Sequence, residues 1–261
     1  MKKSLWLMSL FTLLTVGLAA CWPGGSKALN TVDITPENLS QLCEILKESG
    51  LSHVDVFEKW VRASSEKSPQ SPSERGGFSD ANCRMTVMLL AGDKIQADSL
   101  EENYRGDYMM FDLEAIENIS EYRVLKDKEE LLTTLFGEMP ISKSRFAHTL
   151  PDQWNKHKIE VKSDRYSIIS VLFKVYGKNE AFVGHTGILI NCRDKPSFDG
   201  NYLFLEKIAF GEPFKITWLN EENELVDLLS KRSDYMGEKG DPPPVVYKNM
   251  EILGILKSPD Q

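Results

Sequence analysis

Three side chains in this 261-residue chain have the types and settings for nucleophilic acyl chemistry: Cys83, His185 and Glu206. Cys83 stands at what reads as a helix start, Asn82-Cys83-Arg84-Met85. His185 sits between two glycines in the β-like run Phe182-Val183-Gly184-His185-Thr186-Gly187-Ile188-Leu189-Ile190. Glu206 lies in the next such run, Tyr202-Leu203-Phe204-Leu205-Glu206-Lys207-Ile208. A thiol attacks a carbonyl as its thiolate, and a helix N-terminus offers about half a positive charge to hold that form. Arg84 adds to this effect, whereas Asp80, the expected helix cap, works against it. A histidine within reach takes the thiol proton, and an acid beyond it orients the ring and favours its charged form. Gly184 and Gly187 leave room beside the ring for a partner or a substrate backbone.

Each residue also has a plainer reading. A cysteine followed by apolar helical residues is the pattern of a core side chain. A Gly-His-Thr-Gly strand fits a bulge carrying an ordinary hydrogen-bonded histidine. Glu206 beside Lys207 fits the solvent face of a sheet. Only the order of the three residues, and the elements that carry them, favour the chemical reading.

The elements that must position them are legible from periodicity. Val171 to Tyr176, the turn Gly177-Lys178-Asn179-Glu180, and the histidine run predict a hairpin. The Glu206 run and Phe214-Lys215-Ile216-Thr217-Trp218 extend it to a four-stranded antiparallel meander. Thr35-Pro36-Glu37 opens a first helix, with Leu39, Leu42, Cys43 and Leu46 on one face and Gly50 closing it. A second helix runs from about Ser52, with Val54, Phe57, Trp60 and Val61 inward. Residues 64–77, Pro/Ser-rich, read as a mobile loop. Asp127-Lys128-Glu129-Glu130 reads as a capping box for a helix through Leu132 and Phe136. Residues 137–165 show no sustained period, and His148, Trp154 and His157 read there as exposed loop residues or the lining of a groove. Asn223 to Tyr235 predicts a last helix, and Val245 to Leu256 a mixed apolar tail. The expected class is α+β, with N-terminal helices packed on the antiparallel meander.

The N-terminus predicts export. Lys2-Lys3, an apolar stretch from Leu5 to Val16 and Leu18-Ala19-Ala20-Cys21 resemble a bacterial lipoprotein signal, cleaved before a Cys21 that takes the lipid. Residues 1–20 are then leader, 21–34 lipidated cysteine and tether, and 35–261 one domain. Without Lys2 and Lys3, 29 basic against 39 acidic residues leave a net charge of −10. That balance argues against nucleic acid as a partner. The expected location is extracytoplasmic, with the lipid at Cys21 as the membrane contact. Cys43, Cys83 and Cys192 remain, an odd number, so at least one thiol stays outside any intramolecular disulfide. No Cys-x-x-Cys, no histidine pair at ligand spacing and no phosphate loop occurs, so neither metal nor cofactor is expected.

The histidine strand, Val183 to Ile190, resembles that of NlpC-type and CHAP-type cell-wall peptidases and amidases. Tyr202-Leu203-Phe204-Leu205-Glu206 resembles the following CHAP strand, which supplies the acid. In those families the cysteine opens a helix packed on the sheet, as Asn82-Cys83-Arg84 does. The resemblance implies a papain-like, NlpC-like fold and a Cys83–His185–Glu206 triad. It departs from the papain pattern in spacing, since Cys83 and His185 are 102 positions apart, against roughly 130–150. It also lacks a glutamine before the cysteine, so Asn82 or backbone N–H groups must hold the oxyanion. Nearly the full chain resembles an uncharacterised bacterial lipoprotein family, typical of Gram-positive bacteria and known as a domain of unknown function. Two functions are therefore carried forward. One is a lipid-anchored papain-like cysteine hydrolase acting on peptidoglycan peptides or exported proteins, from which acyl transfer of the transglutaminase kind is not separable by sequence. The other is a non-catalytic binding or adhesion module on a similar fold.

Overall fold

A computed structural model describes residues 29–66, 80–142, 145–194, 200–232, 235 and 240–257. The leader and Cys21 lie outside the described residues, as does 67–77 of the expected loop. Among the described residues the fold is α+β, with seven α-helices, an eight-stranded antiparallel sheet and a separate short pairing of β2 (Ile95–Gln96) with β4 (Glu160–Val161).

The expected meander forms the middle of that sheet. Strands β5 (Tyr166–Lys174), β6 (Glu180–Asn191), β7 (Tyr202–Lys207) and β8 (Phe214–Leu219) lie side by side in chain order. Gly177 takes φ +70° in the β5–β6 turn, a conformation that costs glycine least. The sheet grows beyond the meander on both sides. On one, β1 (Asn30–Asp33) pairs with β8. On the other, the hairpin of β9 (Val245–Lys248) and β10 (Glu251–Ile255) pairs through β9 with β5. The tether expected to reach residue 34 thus ends earlier: residues 30–33 are a strand and Ile34 is buried.

Both faces of the sheet are covered, so its central strands are apolar almost throughout. One face carries most of the helices. Helix α1 (Pro36–Glu48) starts as expected: the backbone N–H of Thr35 donates to the Asn38 side chain at 2.9 Å, and Leu39, Leu42, Cys43 and Leu46 are buried. Helix α2 (Val54–Glu66) packs on it and continues three residues into the expected loop. Helix α3 (Cys83–Ala91) is buried along nearly its whole length and packs on β6 and β7. Next come α4 (Met110–Asn118), α5 (Glu129–Phe136) and α6 (Thr149–His157). The cap expected before α5 is absent, because a 3-10 helix over Ser120–Lys128 runs directly into it. Trp154 and His157 are buried on α6 and not exposed in a loop. The opposite face is covered by α7 (Glu224–Ser230), with Leu225 and Leu229 inward, and by Tyr235 and Leu256.

Two features shape the ground on which the site is built. First, β6 carries one extra residue against β5: Val171 pairs with His185 and Leu172 with Val183, so Gly184 is bulged. Second, the other edge of β6 is shared. β7 pairs with Gly187–Asn191, and the short β3 (Met139–Pro140) pairs with Glu180 and Ala181. Residues 182–186 of that edge have no strand partner, and the first turn of α3 occupies the break.

Candidate functional site

Asn82 is the cap of α3, not Asp80, and Cys83 is the first helical residue. The Asn82 side chain accepts from the Met85 N–H at 2.9 Å and donates through Nδ2 to Asp112 at 2.6 Å. Asp112, on α4 and fully buried, also takes a two-pronged bond from Arg84, Nε at 3.1 Å and Nη2 at 2.8 Å. Arg84 Nη1 donates in turn to the Val183 carbonyl at 3.3 Å, in the break along β6. These bonds satisfy a buried carboxylate, and they lock the helix start against the histidine strand.

Asp80 is turned away from the thiol. Its carboxylate pairs with Lys207 Nζ at 2.8 Å and accepts from the Gly211 N–H at 2.9 Å. The reading of Glu206 and Lys207 as a solvent face is corrected, since both are about 1% exposed or less. They point to opposite faces of β7, as the two-residue period of a strand requires.

Glu206 stands directly opposite Gly187 in the β6–β7 ladder, and His185 is its diagonal neighbour. The ring reaches across: Nε2 of His185 lies 2.7 Å from Oε2 of Glu206. The two glycines do not leave room for a substrate. A side chain at Gly187 would run into the Phe204 ring and the Leu205 carbonyl, and one at Gly184 into Phe173 and Phe182. They make space for the protein's own packing.

The structure brings Cys83 and His185 together from elements 102 positions apart. Burial alone would push the Cys83 thiol up. The neighbouring His185 imidazole and its charge, the Arg84 charge and the Thr186 backbone N–H outweigh it and hold the thiol below its ordinary value. Burial likewise works against a charged imidazole, but Cys83 and Glu206 together raise His185 to about 9. Glu206 is lowered to about 2: burial opposes ionisation, and His185 and Arg232 overcome it. Nε2 is taken by Glu206, and Nδ1 is buried with no fully formed hydrogen bond, which leaves it as the ring atom available to the thiol proton.

Two residues of this environment have no role assigned from the sequence. Arg232, just past α7, forks onto Glu206, and Tyr235 stands with its ring 5.3 Å from that of His185. Both fall at the end of the helix expected over Asn223 to Tyr235, which stops at Ser230, so the expectation of a helix gives them no role. His148 and His157 are not part of the cluster. His157 instead ties α6 to the loop at Ser99, with Nδ1 3.0 Å from both the hydroxyl and the carbonyl of that residue. Cys43 and Cys83 are free thiols, and all three of Cys43, Cys83 and Cys192 are buried. Among the described residues no group of three or more His, Cys, Asp or Glu side chains gathers as a metal site, and no helix is long and apolar enough to cross a membrane.

Fold and cluster together define an α+β protein with a buried thiol–imidazole–carboxylate set. By sequence the chain belongs to the family described as Domain of unknown function (DUF4300), whose model matches residues 63–253. No curated protein and no solved structure matches it.

Proposed function

We propose that this protein is a papain-like cysteine hydrolase, held outside the cytoplasm by a lipid on Cys21, that cleaves amide bonds in cell-wall peptides or exported proteins. The observation that carries the reading is the coupling of Cys83 to His185 while the far nitrogen of that ring is held 2.7 Å from Glu206. Cys83 gives its proton to His185 and attacks the carbonyl carbon as a thiolate. His185 then protonates the leaving amine as the tetrahedral species collapses to a thioester. Water, deprotonated by the same ring, attacks the thioester and releases the acid and the free thiol. Both polar groups of Asn82 are engaged, one on Met85 and one on Asp112. The oxyanion is therefore assigned to the backbone N–H of Cys83, which, as the first helical residue, has no partner within the helix.

One observation favours the second reading, a non-catalytic binding module. Cys83 is 6% exposed and His185 and Glu206 1% each, so a carbonyl meets the sulfur only when the side chains above it shift. Iodoacetamide labelling with peptide mapping separates the two. Cys83 should be alkylated at pH 6, where an ordinary thiol near 8.5 is almost wholly protonated. His185→Ala should abolish that reaction, and Glu206→Gln should weaken it. If Cys83 is inert at pH 6, or reacts equally in the histidine variant, the hydrolase reading is wrong and the binding module stands.

A further inference from the structure

Arg232 lies 26 positions beyond Glu206 and returns to it from the far side of α7. Its guanidinium closes a fork on the carboxylate, Nη1 to Oε2 at 2.9 Å and Nη2 to Oε1 at 2.5 Å. Oε2 thus carries two donors, His185 Nε2 and Arg232 Nη1, and Oε1 carries one. The fork is itself held. Nη1 also donates to the Tyr235 hydroxyl at 3.1 Å, and the guanidinium carbon lies 5.3 Å from the centre of that ring. The Glu206 side chain is fully buried and that of Arg232 is 16% exposed.

We propose that Arg232 is a positioning residue of the same site, keeping Glu206 an oriented anion and completing a charge-balanced set of thiolate, imidazolium, carboxylate and guanidinium. The inference rests on the hydrolase reading and adds a residue to it. Without the guanidinium, a thiolate, an imidazolium and a carboxylate would leave one uncompensated negative charge in a buried site. Such a charge is costly in a medium of low dielectric constant, and the cluster would shed it by binding a proton. A proton on the thiolate removes the nucleophile, and one on Glu206 removes the group that steadies the imidazolium. Arginine is suited to prevent both, because it does not give up its own proton and its planar fork fixes the plane of the carboxylate.

The charged and titratable groups facing Glu206 come from four elements. They are His185 on β6, Lys215 opposite on β8, Arg232 and Tyr235 beyond α7, and, through the imidazole, Cys83 on α3. Lys215 is placed 3.7 Å from Asp33, so its charge is already engaged. Beside the imidazolium, Arg232 is then the cation bonded to the carboxylate.

The test is the pH dependence of Cys83 alkylation in the full-length protein, with the fold of each variant checked by near-ultraviolet circular dichroism. Arg232→Gln removes the charge and should move the onset of thiolate reactivity upward by about one pH unit. Arg232→Lys keeps the charge without the fork, and should leave the onset near that of the wild type while lowering the rate several-fold. A folded Arg232→Gln protein with an unchanged onset overturns the inference and leaves the hydrolase reading intact. If Arg232→Gln does not fold, Arg232→Lys decides: a lowered rate supports the inference, and a rate equal to the wild type overturns it. Absence of low-pH reactivity in the wild type removes the hydrolase reading itself, before any arginine variant is made.

Discussion

Lys207 and Asp80 form an ion pair of 2.8 Å that joins the strand carrying Glu206 to the segment leading into Cys83. The lysine side chain is fully buried, with its ammonium 4.8 Å from the centre of the Phe214 ring, whereas Asp80 is 23% exposed. The two partners are therefore not equivalent. Asp80→Ala strands a buried cation and should lower stability by about 3 kcal/mol. Lys207→Met keeps the stem, leaves a carboxylate that water can reach, and should stay within about 1 kcal/mol of the wild type. Urea unfolding of both variants checks this, and equal losses would count against the asymmetry.

The two glycines of the histidine strand should also differ. An alanine Cβ at Gly187 would lie 2.5 Å from the Phe204 ring and 2.7 Å from the Leu205 carbonyl oxygen, and the backbone group cannot move aside. Gly187→Ala should cost at least about 2 kcal/mol. At Gly184 the close atoms are the rings of Phe173 and Phe182, both half-buried, so Gly184→Ala should cost less. Thermal melts of the pair give the comparison directly.

Stability should fall off most clearly on the acid side. Glu206 is lowered to about 2, so its contribution is complete above its unfolded value and is lost as pH falls toward 2. His185 is raised to about 9, so its contribution is complete below its unfolded value of 6.5 and is lost as pH rises through 9. Cys83, held below its ordinary value by the same imidazole, contributes with the opposite sign, so the two largely cancel and the acid slope of Glu206 dominates. A series of melts across pH should show this slope, and His185→Ala should flatten it.

Cys43 should be inert. It lies on the buried face of α1, and burial, with Glu58 adding to it, raises its thiol above the ordinary value. Native protein should leave Cys43 unlabelled under conditions that alkylate Cys83, and Cys43→Ala should cost on the order of 1 kcal/mol.

The proposed anchor has its own test. Cys21→Ser should release the protein from membranes into the soluble fraction, because the lipid has no other attachment site in the leader motif. A variant that still sediments with membranes would rule out lipidation at Cys21.

The parts of the fold that were legible are those where local pattern and tertiary role agree. Alternation and Gly177 announced the meander, and Thr35-Pro36 with its apolar face announced α1. What escaped was set by distant partners. β1 is four residues long and three of them are polar, so only its pairing with β8 makes it a strand. The β9–β10 hairpin turns at Asn249 with φ +54°, held by a 2.9 Å bond from the Ile168 N–H to its side chain, a contact 81 positions away. Helix α6 was hidden by Pro151, which reads as a breaker but falls in the first turn, where its missing N–H costs nothing. At the site, Cys83, His185 and Glu206 were readable as a set because each lies at a helix start or in a strand that its own local pattern announces. Arg232 and Asp112 were not, since a charge that serves a buried partner follows no period of its own.

The break in the edge of β6 also fixes when the thiol becomes special. The helix start fills a gap that does not exist until β7 and β3 have both taken their places on β6. Until then Cys83 has neither the Thr186 N–H nor the imidazole beside it, and it behaves as any cysteine on an unfolded chain. Contacts spanning so much of the sequence form late, after the local hairpins. On the proposed reading, heightened thiol reactivity is thus a property of the finished molecule alone, and a newly made chain does not carry a nucleophile that could turn on itself.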